Sequence, residues 1–127
     1  MGFVDANISS PNTGIGIIAG YVGLAAGAEN YTGKITNCYT TGVLKGSGAA
    51  GGIGGVLGGS GYIKNCYSSA TVIDQIANNT GKAGGIIGRV NGNASGSSIE
   101  NCYTSGDINA IGGGNAGGIV GKVDGGK

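Results

Sequence analysis

The chain has no histidine, no tryptophan, one proline (Pro11), three cysteines, and charged residues at only 10% of its 127 positions. Each scarcity narrows the field. Without histidine the commonest general base is missing, and no nucleophile–base pair can be assembled from the residues that remain. The six acids Asp5, Glu29, Asp74, Glu100, Asp107 and Asp124 form no column or cluster of the kind that glycoside cleavage needs. Metal binding asks for clustered ligands such as CxxC with histidine, and neither is present. We therefore expect no catalytic residue, no metal site, no cofactor and no enzyme activity. Net charge is +1 with no basic run, which argues against a nucleic-acid partner. The most apolar stretch, Ile15 to Ala28, is shorter than the ~20 residues of a membrane span. The opening Met1-Gly2-Phe3-Val4-Asp5 lacks the basic and apolar regions of a signal peptide.

What the chain does have is glycine, at 32 positions, against a usual share of roughly 7%. The glycines do not recur every third residue, so collagen is excluded. They belong instead to a longer repeat. Asn-Cys-Tyr occurs at Asn37-Cys38-Tyr39, Asn65-Cys66-Tyr67 and Asn101-Cys102-Tyr103. A second element, Gly-Ile/Tyr-x-Gly-x-apolar, starts at Gly20, Gly52, Gly85 and Gly118, with spacings of 32, 33 and 33 residues. The whole of 1–127 reads as one repeat domain: a partial unit over 1–36, then repeats beginning near residues 37, 65 and 101. Aligning Gly2-Phe3-Val4 with Gly106-Asp107-Ile108 places the first unit just after an absent Asn-Cys-Tyr, so the pattern reads as a slice of a longer array or as a unit that joins others end to end.

Within each repeat, two short segments alternate with period two, the mark of strands. From Cys38 the alternate positions are Cys38, Thr40, Gly42 and Leu44; later copies give Cys66, Ser68, Ala70, Val72 and Cys102, Thr104, Gly106, Ile108. This small-then-apolar set is expected to face inward. The opposite parity carries the tyrosines and Asp107, whose lone carboxylate is too costly to bury. Tyr39, Tyr67 and Tyr103 then form an outward ladder.

The second segment predicts inward columns Tyr21/Ile53/Ile86/Ile119, Gly23/Gly55/Gly88/Gly121 and Ala25/Leu57/Val90/Val123. Its outward columns are Val22/Gly54/Ile87/Val120 and Leu24/Val56/Arg89/Lys122. A further inward column, Ile35/Ile63/Ile99, disagrees in parity with Cys38, so the chain must bend between them. Asn37, Asn65 and Asn101 stand at that bend, and asparagine tolerates left-handed backbone. Fixed strands joined by uneven loops are what a stacked coil allows. The fold class expected is all-β: a parallel β-helix of about four glycine-rich rungs, ~4.8 Å apart. Lys64 and Glu100 fall in one outward column, close enough to pair across rungs.

The pattern Gly-Gly-Ile-x-Gly followed by Ile-x-Asn-Cys-Tyr-Ser/Thr-Ser/Thr-Gly resembles the GLUG repeat motif of bacterial and archaeal secreted proteins. It runs through nearly the whole chain, for example Ala83-Gly84-Gly85-Ile86-Ile87-Gly88 with Ile99-Glu100-Asn101-Cys102-Tyr103-Thr104-Ser105-Gly106. The first unit departs from it, lacking the Asn-Cys-Tyr and carrying Pro11 and Asn12 in a long loop. The resemblance implies a surface-exposed stalk or adhesive module, as in large adhesins and extracellular regions of immunoglobulin A peptidases. It brings no catalytic residue.

The cysteine column suits small core residues, although stacked rungs also bring α-carbons within disulfide range. The tyrosine ladder suits either self-stacking or contact with sugar or protein surfaces. The apolar column Val22, Ile87 and Val120 reads as a contact surface or as a face covered by a long loop. Gly46-Ser47-Gly48-Ala49-Ala50-Gly51 fits G-x-G-x-x-G, but no helix follows it. The sequons Asn30-Tyr31-Thr32 and Asn93-Ala94-Ser95 are expected by chance. Ice binding would need a flat threonine array, and only Thr41/Ser69/Ser105 faces outward. The function expected is a structural or adhesive module outside the cell or on its surface. Its partners would be a glycan or a host or cell-surface protein, and neighbouring repeats end to end. The competing reading is a filament subunit that stacks head to tail on its own copies.

Overall fold

The computed structural model describes residues 2–10, 14–23, 33–76, 80–91 and 96–124. Every strand pairing in it is parallel, and the described residues contain no helix. The chain coils through four walls per turn. The first wall holds β1 (Gly2–Ser9), β5 (Tyr39–Gly46), β9 (Tyr67–Ser68) with β10 (Thr71–Asp74), and β14 (Tyr103–Thr104) with β15 (Ile108–Ala110). The second stacks β2 (Ile15–Gly16), β6 (Ala50–Gly51), β11 (Lys82–Gly84) and β16 (Asn115–Gly117). The third stacks β3 (Ala19–Val22), β7 (Gly54–Leu57), β12 (Ile87–Val90) and β17 (Val120–Val123). The fourth stacks β4 (Lys34–Thr36), β8 (Tyr62–Lys64) and β13 (Ser98–Glu100). This is the parallel β-solenoid that the repeat predicts, with about three full turns among the described residues.

Alternation in the first wall runs as the sequence predicts. Leu44 and Val72 are fully buried, as are Thr40, Ser68, Ala70 and Cys66 to within 1%, while Asp107 is exposed. The buried hydroxyls are satisfied: Thr40 Oγ1 donates to the Gly52 carbonyl at 2.8 Å and lies 2.9 Å from Ser68 Oγ. Thr104 Oγ1 donates likewise to the Gly118 carbonyl at 2.9 Å.

Those carbonyls mark the tip of a wedge. The second and third walls are joined by two-residue bends at Gly52-Ile53, Gly85-Ile86 and Gly118-Ile119. The walls then lie backbone to backbone. A β-carbon on Gly51 would stand 2.0 Å from the Gly54 carbonyl oxygen, and one on Gly117 2.0 Å from that of Val120. On the facing wall, a β-carbon on Gly88 would stand 2.5 Å from the Ala50 nitrogen. The glycine columns are therefore the contact surface between two walls, too close for any side chain.

The wedge divides the interior in two. One apolar cluster joins Leu44, Ala70 and Val72 to Ile17, Ala50 and Ala83. The other joins Val22, Leu57, Ile87 and Val90 to Ile35, Ile63 and Cys66, with Ile53 and Ile86 from the bends.

This arrangement corrects the expected apolar surface column. Val22 is 2% exposed and Ile87 not at all. Val120 is half-buried and packs against the same cluster. At these positions the wall meets its glycine partner on one face and the core on the other, so the column is dry; Val56 is buried as well. Solvent reaches the wedge mouth, where Arg89 and Lys122 lie.

The first rung also differs in register. Tyr21 pairs with Val56 and Val22 with Leu57, three residues from the expected alignment on Ile53 and Gly54. The true equivalent of Ile53 is Ile18, so Tyr21 leaves the inward column and is 51% exposed. Gly23, expected beside Gly55, falls against Gly58 instead. Gly2 pairs with Tyr39, and it is Ala6 and Ile8 that reach the columns of Gly42 and Leu44. A break in pairing between Phe3 and Ala6, with Asp5 at φ 56°, moves the register. Leu24, Ala25, Pro11, Asn12 and both sequons lie outside the described residues.

Candidate functional site

Where the fourth wall turns into the first, each rung passes through an asparagine. Asn37, Asn65 and Asn101 have φ of 55°, 55° and 51°, the left-handed conformation that asparagine adopts more cheaply than other side-chain-bearing residues. The turn points the amides outward and in register. Asn65 Nδ2 donates to Asn37 Oδ1 at 3.3 Å, and Asn101 Nδ2 to Asn65 Oδ1 at 3.3 Å. The bend is thus sealed by a side-chain amide ladder running along the solenoid axis.

The next residue points inward. Cys66 is buried, while Cys38 and Cys102 are half-buried. All three are free thiols. Each donates to a carbonyl two residues back: Cys38 Sγ to Thr36 at 3.1 Å, Cys66 to Lys64 at 3.3 Å, Cys102 to Glu100 at 3.2 Å. Burial pushes the Cys66 thiol above its ordinary pKa; backbone hydrogen bonding at Cys38 and Lys64 pulls it down by less, and the neighbouring thiols of Cys102 and Cys38 push it up slightly.

The third residue points out again. Tyr39 is 45% exposed and Tyr103 63%. The rings of Tyr67 and Tyr103 stack with centroids 4.5 Å apart. The Tyr67 hydroxyl lies 3.1 Å from Ser105 Oγ. Hydrogen bonds with Ser105 and Ser69 hold its phenol below the usual pKa. Together Asn37, Cys38, Tyr39, Asn65, Cys66, Tyr67, Asn101 and Tyr103 line one open groove of about 570 Å³. None of these lining side chains is charged at neutral pH. Lys64 and Glu100, beside the bend, pair with each other at 3.9 Å across adjacent rungs; exposed as they are, the pair contributes at most ~1 kcal/mol.

So the structure gathers the three triplets into one place and removes Val22 and Ile87 from the surface. Sequence reasoning also missed two features. Asp74 is fully buried in the face that carries Leu44 and Val72. Its carboxylate accepts backbone N–H bonds from Gly48 at 2.9 Å, Ile76 at 3.0 Å and Lys82 at 3.2 Å, which offset its desolvation. Strand parity from Val72 points to this burial; of the compensating N–H groups, those of Gly48 and Ile76 come from connections outside the strands and that of Lys82 from the start of β11. The second is a smaller cleft of about 160 Å³ at the wedge mouth, lined by Tyr21, Gly48, Ala49, Val56, Lys82, Arg89 and Asn91. Its cations are engaged: Arg89 Nε pairs with Asp124, and Lys82 Nζ donates to the Thr80 carbonyl.

The fold and groove define a parallel β-solenoid repeat protein with a repeated Asn-Cys-Tyr face. The chain is similar to a solved crystal structure from Bacteroides ovatus, a protein provisionally named an immunoglobulin A1 protease. The two are 54% identical with a TM-score of 0.84. The match covers 97% of this chain and 37% of the other, so this chain spans little more than a third of that protein. No family model matches the chain, and no curated protein matches it.

Proposed function

We propose that this chain is a non-catalytic structural and adhesive repeat module of an extracellular or cell-surface protein, and that the groove over the Asn-Cys-Tyr triplets is its contact surface. The observation that carries this reading is the groove itself. It places exposed aromatic rings, uncharged amides and a rigid β-scaffold in one concave strip, the composition favoured at recognition surfaces. Two facts support the setting. The similar structure holds this solenoid as part of a longer protein whose name points to an enzyme acting on immunoglobulin A1. The motif also resembles the GLUG repeats of secreted proteins.

The test is a screen of immobilised glycans and of host cell-surface proteins against the purified chain and a variant carrying Tyr39→Ala, Tyr67→Ala and Tyr103→Ala. We expect binding partners of the parent to be lost by the variant. Partners retained in full by the variant would remove the groove from the function.

A second reading rests on a different surface. Ile111 at 63%, Val123 at 59% and Ile119 at 36% are exposed on the same level as β17. That apolar edge suits a further rung, whether supplied by the same protein or by a second copy stacked end to end. Filaments in electron micrographs would support the copy; a monodisperse species in sedimentation would dismiss it.

A further inference from the structure

In-register columns of identical rings stack in a solenoid, because rung spacing is ~4.8 Å and offset ring stacking needs about the same. Tyr67 and Tyr103 do so. Tyr39 does not join them, and the cause lies one rung away. The member of the tyrosine column beyond Tyr39 is Gly2, paired with it in register. The Tyr39 ring falls into the space that a side chain would fill there: a β-carbon on Gly2 would stand 2.1 Å from the Tyr39 Cζ. Tyr67 stacks on Tyr103, on its other side. With the Tyr39 ring drawn over Gly2 and Tyr67 stacked on Tyr103, the ring stack is interrupted between Tyr39 and Tyr67, leaving a gap in the ladder there.

The amide rim beside the gap is polar and uncharged. An asparagine amide carries two N–H donors and an oxygen with two lone pairs. Asn65 uses one donor on Asn37 and accepts one bond from Asn101, leaving a donor and an acceptor at the groove. No charged side chain lines the groove, so an ionic ligand would find no counter-charge there. Two aromatic rings with an amide rim match a ring that is apolar on its faces and hydroxylated at its edge. The groove volume of about 570 Å³ is within the usual ~300–1,000 Å³ of small-ligand sites, which leaves room for such a ring and its linked neighbours.

We propose that the opening between Tyr39 and Tyr67 seats one sugar ring of a neutral oligosaccharide, its hydroxyls read by the Asn37–Asn65–Asn101 amide ladder. This rests on the groove being the contact surface, and it narrows the occupant to an uncharged glycan.

The experiment is calorimetric titration of the purified chain with soluble neutral oligosaccharides (gluco-, galacto- and N-acetylglucosamine series), with heparin as the charged comparator. Tyr39→Ala, Tyr67→Ala and Gly2→Ala are run beside the parent. At least one neutral series should bind and heparin should not. Tyr39→Ala and Tyr67→Ala should each weaken binding by roughly tenfold or more, equivalent to ~1.4 kcal/mol. Gly2→Ala is the decisive variant. It keeps every ring and amide but denies Tyr39 its seat, so the ring moves toward Tyr67 and the gap closes; binding should fall by a similar factor with an unchanged melting temperature.

Neutral sugars that fail to bind at millimolar concentration, or that bind Gly2→Ala as well as the parent, overturn the proposal. A partner protein that binds the groove and is lost with the tyrosines would then show a contact surface with a different occupant. Tyrosine variants that affect no partner at all would remove both readings.

Discussion

Gly84 and Ile87 stand so close across the wedge that a β-carbon on Gly84 would lie 1.9 Å from the Ile87 carbonyl oxygen and 2.8 Å from the Gly121 nitrogen. Both neighbours are backbone held in ladders, so neither can yield without prying the second and third walls apart. Gly84→Ala should cost at least ~3 kcal/mol, the upper end of ordinary overpacking, or abolish cooperative folding. Gly118 is the internal control: it lies one position beyond Gly117 in the Gly84 column, yet a β-carbon there would meet nothing within 4 Å. Urea unfolding should show a large fall in midpoint for Gly84→Ala and little for Gly118→Ala. Equal effects would mean that the wall contact is not what the glycines are for.

The asparagine bend makes a second separable prediction. Asn65→Ala loses the ladder bonds and must hold φ near 55° with an ordinary side chain, a penalty of roughly 1–2 kcal/mol. Asn65→Gly loses the same bonds but tolerates the angle, and should cost only about 0.5–1 kcal/mol. Thermal or urea unfolding of the pair distinguishes them. If alanine is no worse than glycine, the left-handed turn is not the reason for asparagine here.

Cys66 predicts both a reactivity order and a pH dependence. Its thiol is 1% exposed and pushed up in pKa by burial, so the reactive thiolate is scarce in the folded protein. A maleimide or iodoacetamide should label Cys38 and Cys102 first, and Cys66 only on unfolding, as read by mass spectrometry of peptides. The raised folded value means that the neutral thiol is the form the fold favours. Its contribution to stability is fully present below the unfolded thiol pKa and is lost as pH rises through the higher folded value. Unfolding midpoints should therefore fall at alkaline pH, and less so in Cys66→Ala. A Cys66 that labels as fast as its neighbours would show that the column is open to solvent.

Much of this architecture is readable in the chain because it is local. The alternation from Cys38 to Leu44 states which side chains turn inward, and the parity clash between Ile35 and Cys38 states that a bend intervenes. Asn37, Asn65 and Asn101 are the residues that such a bend favours. The first rung is not readable the same way. Its glycine-rich run Gly14-Ile15-Gly16-Ile17-Ile18-Ala19-Gly20 fits the repeat in more than one frame, and only pairing with β6 and β7 selects Ile18, not Tyr21, as the partner of Ile53.

The sequence by itself determined the repeat, the stacked parallel strands, the inward thiols and hydroxyls, and the outward tyrosines, since each follows from period, parity or backbone preference along the chain. The tertiary structure alone decided the rest. It folded two walls into a glycine wedge that buries Val22 and Ile87, it gave Asp74 its backbone donors, and it set the Tyr39 ring over Gly2 while Tyr67 stacks on Tyr103. These outcomes depend on what stands opposite a residue across walls and rungs, and opposition in space is settled by packing.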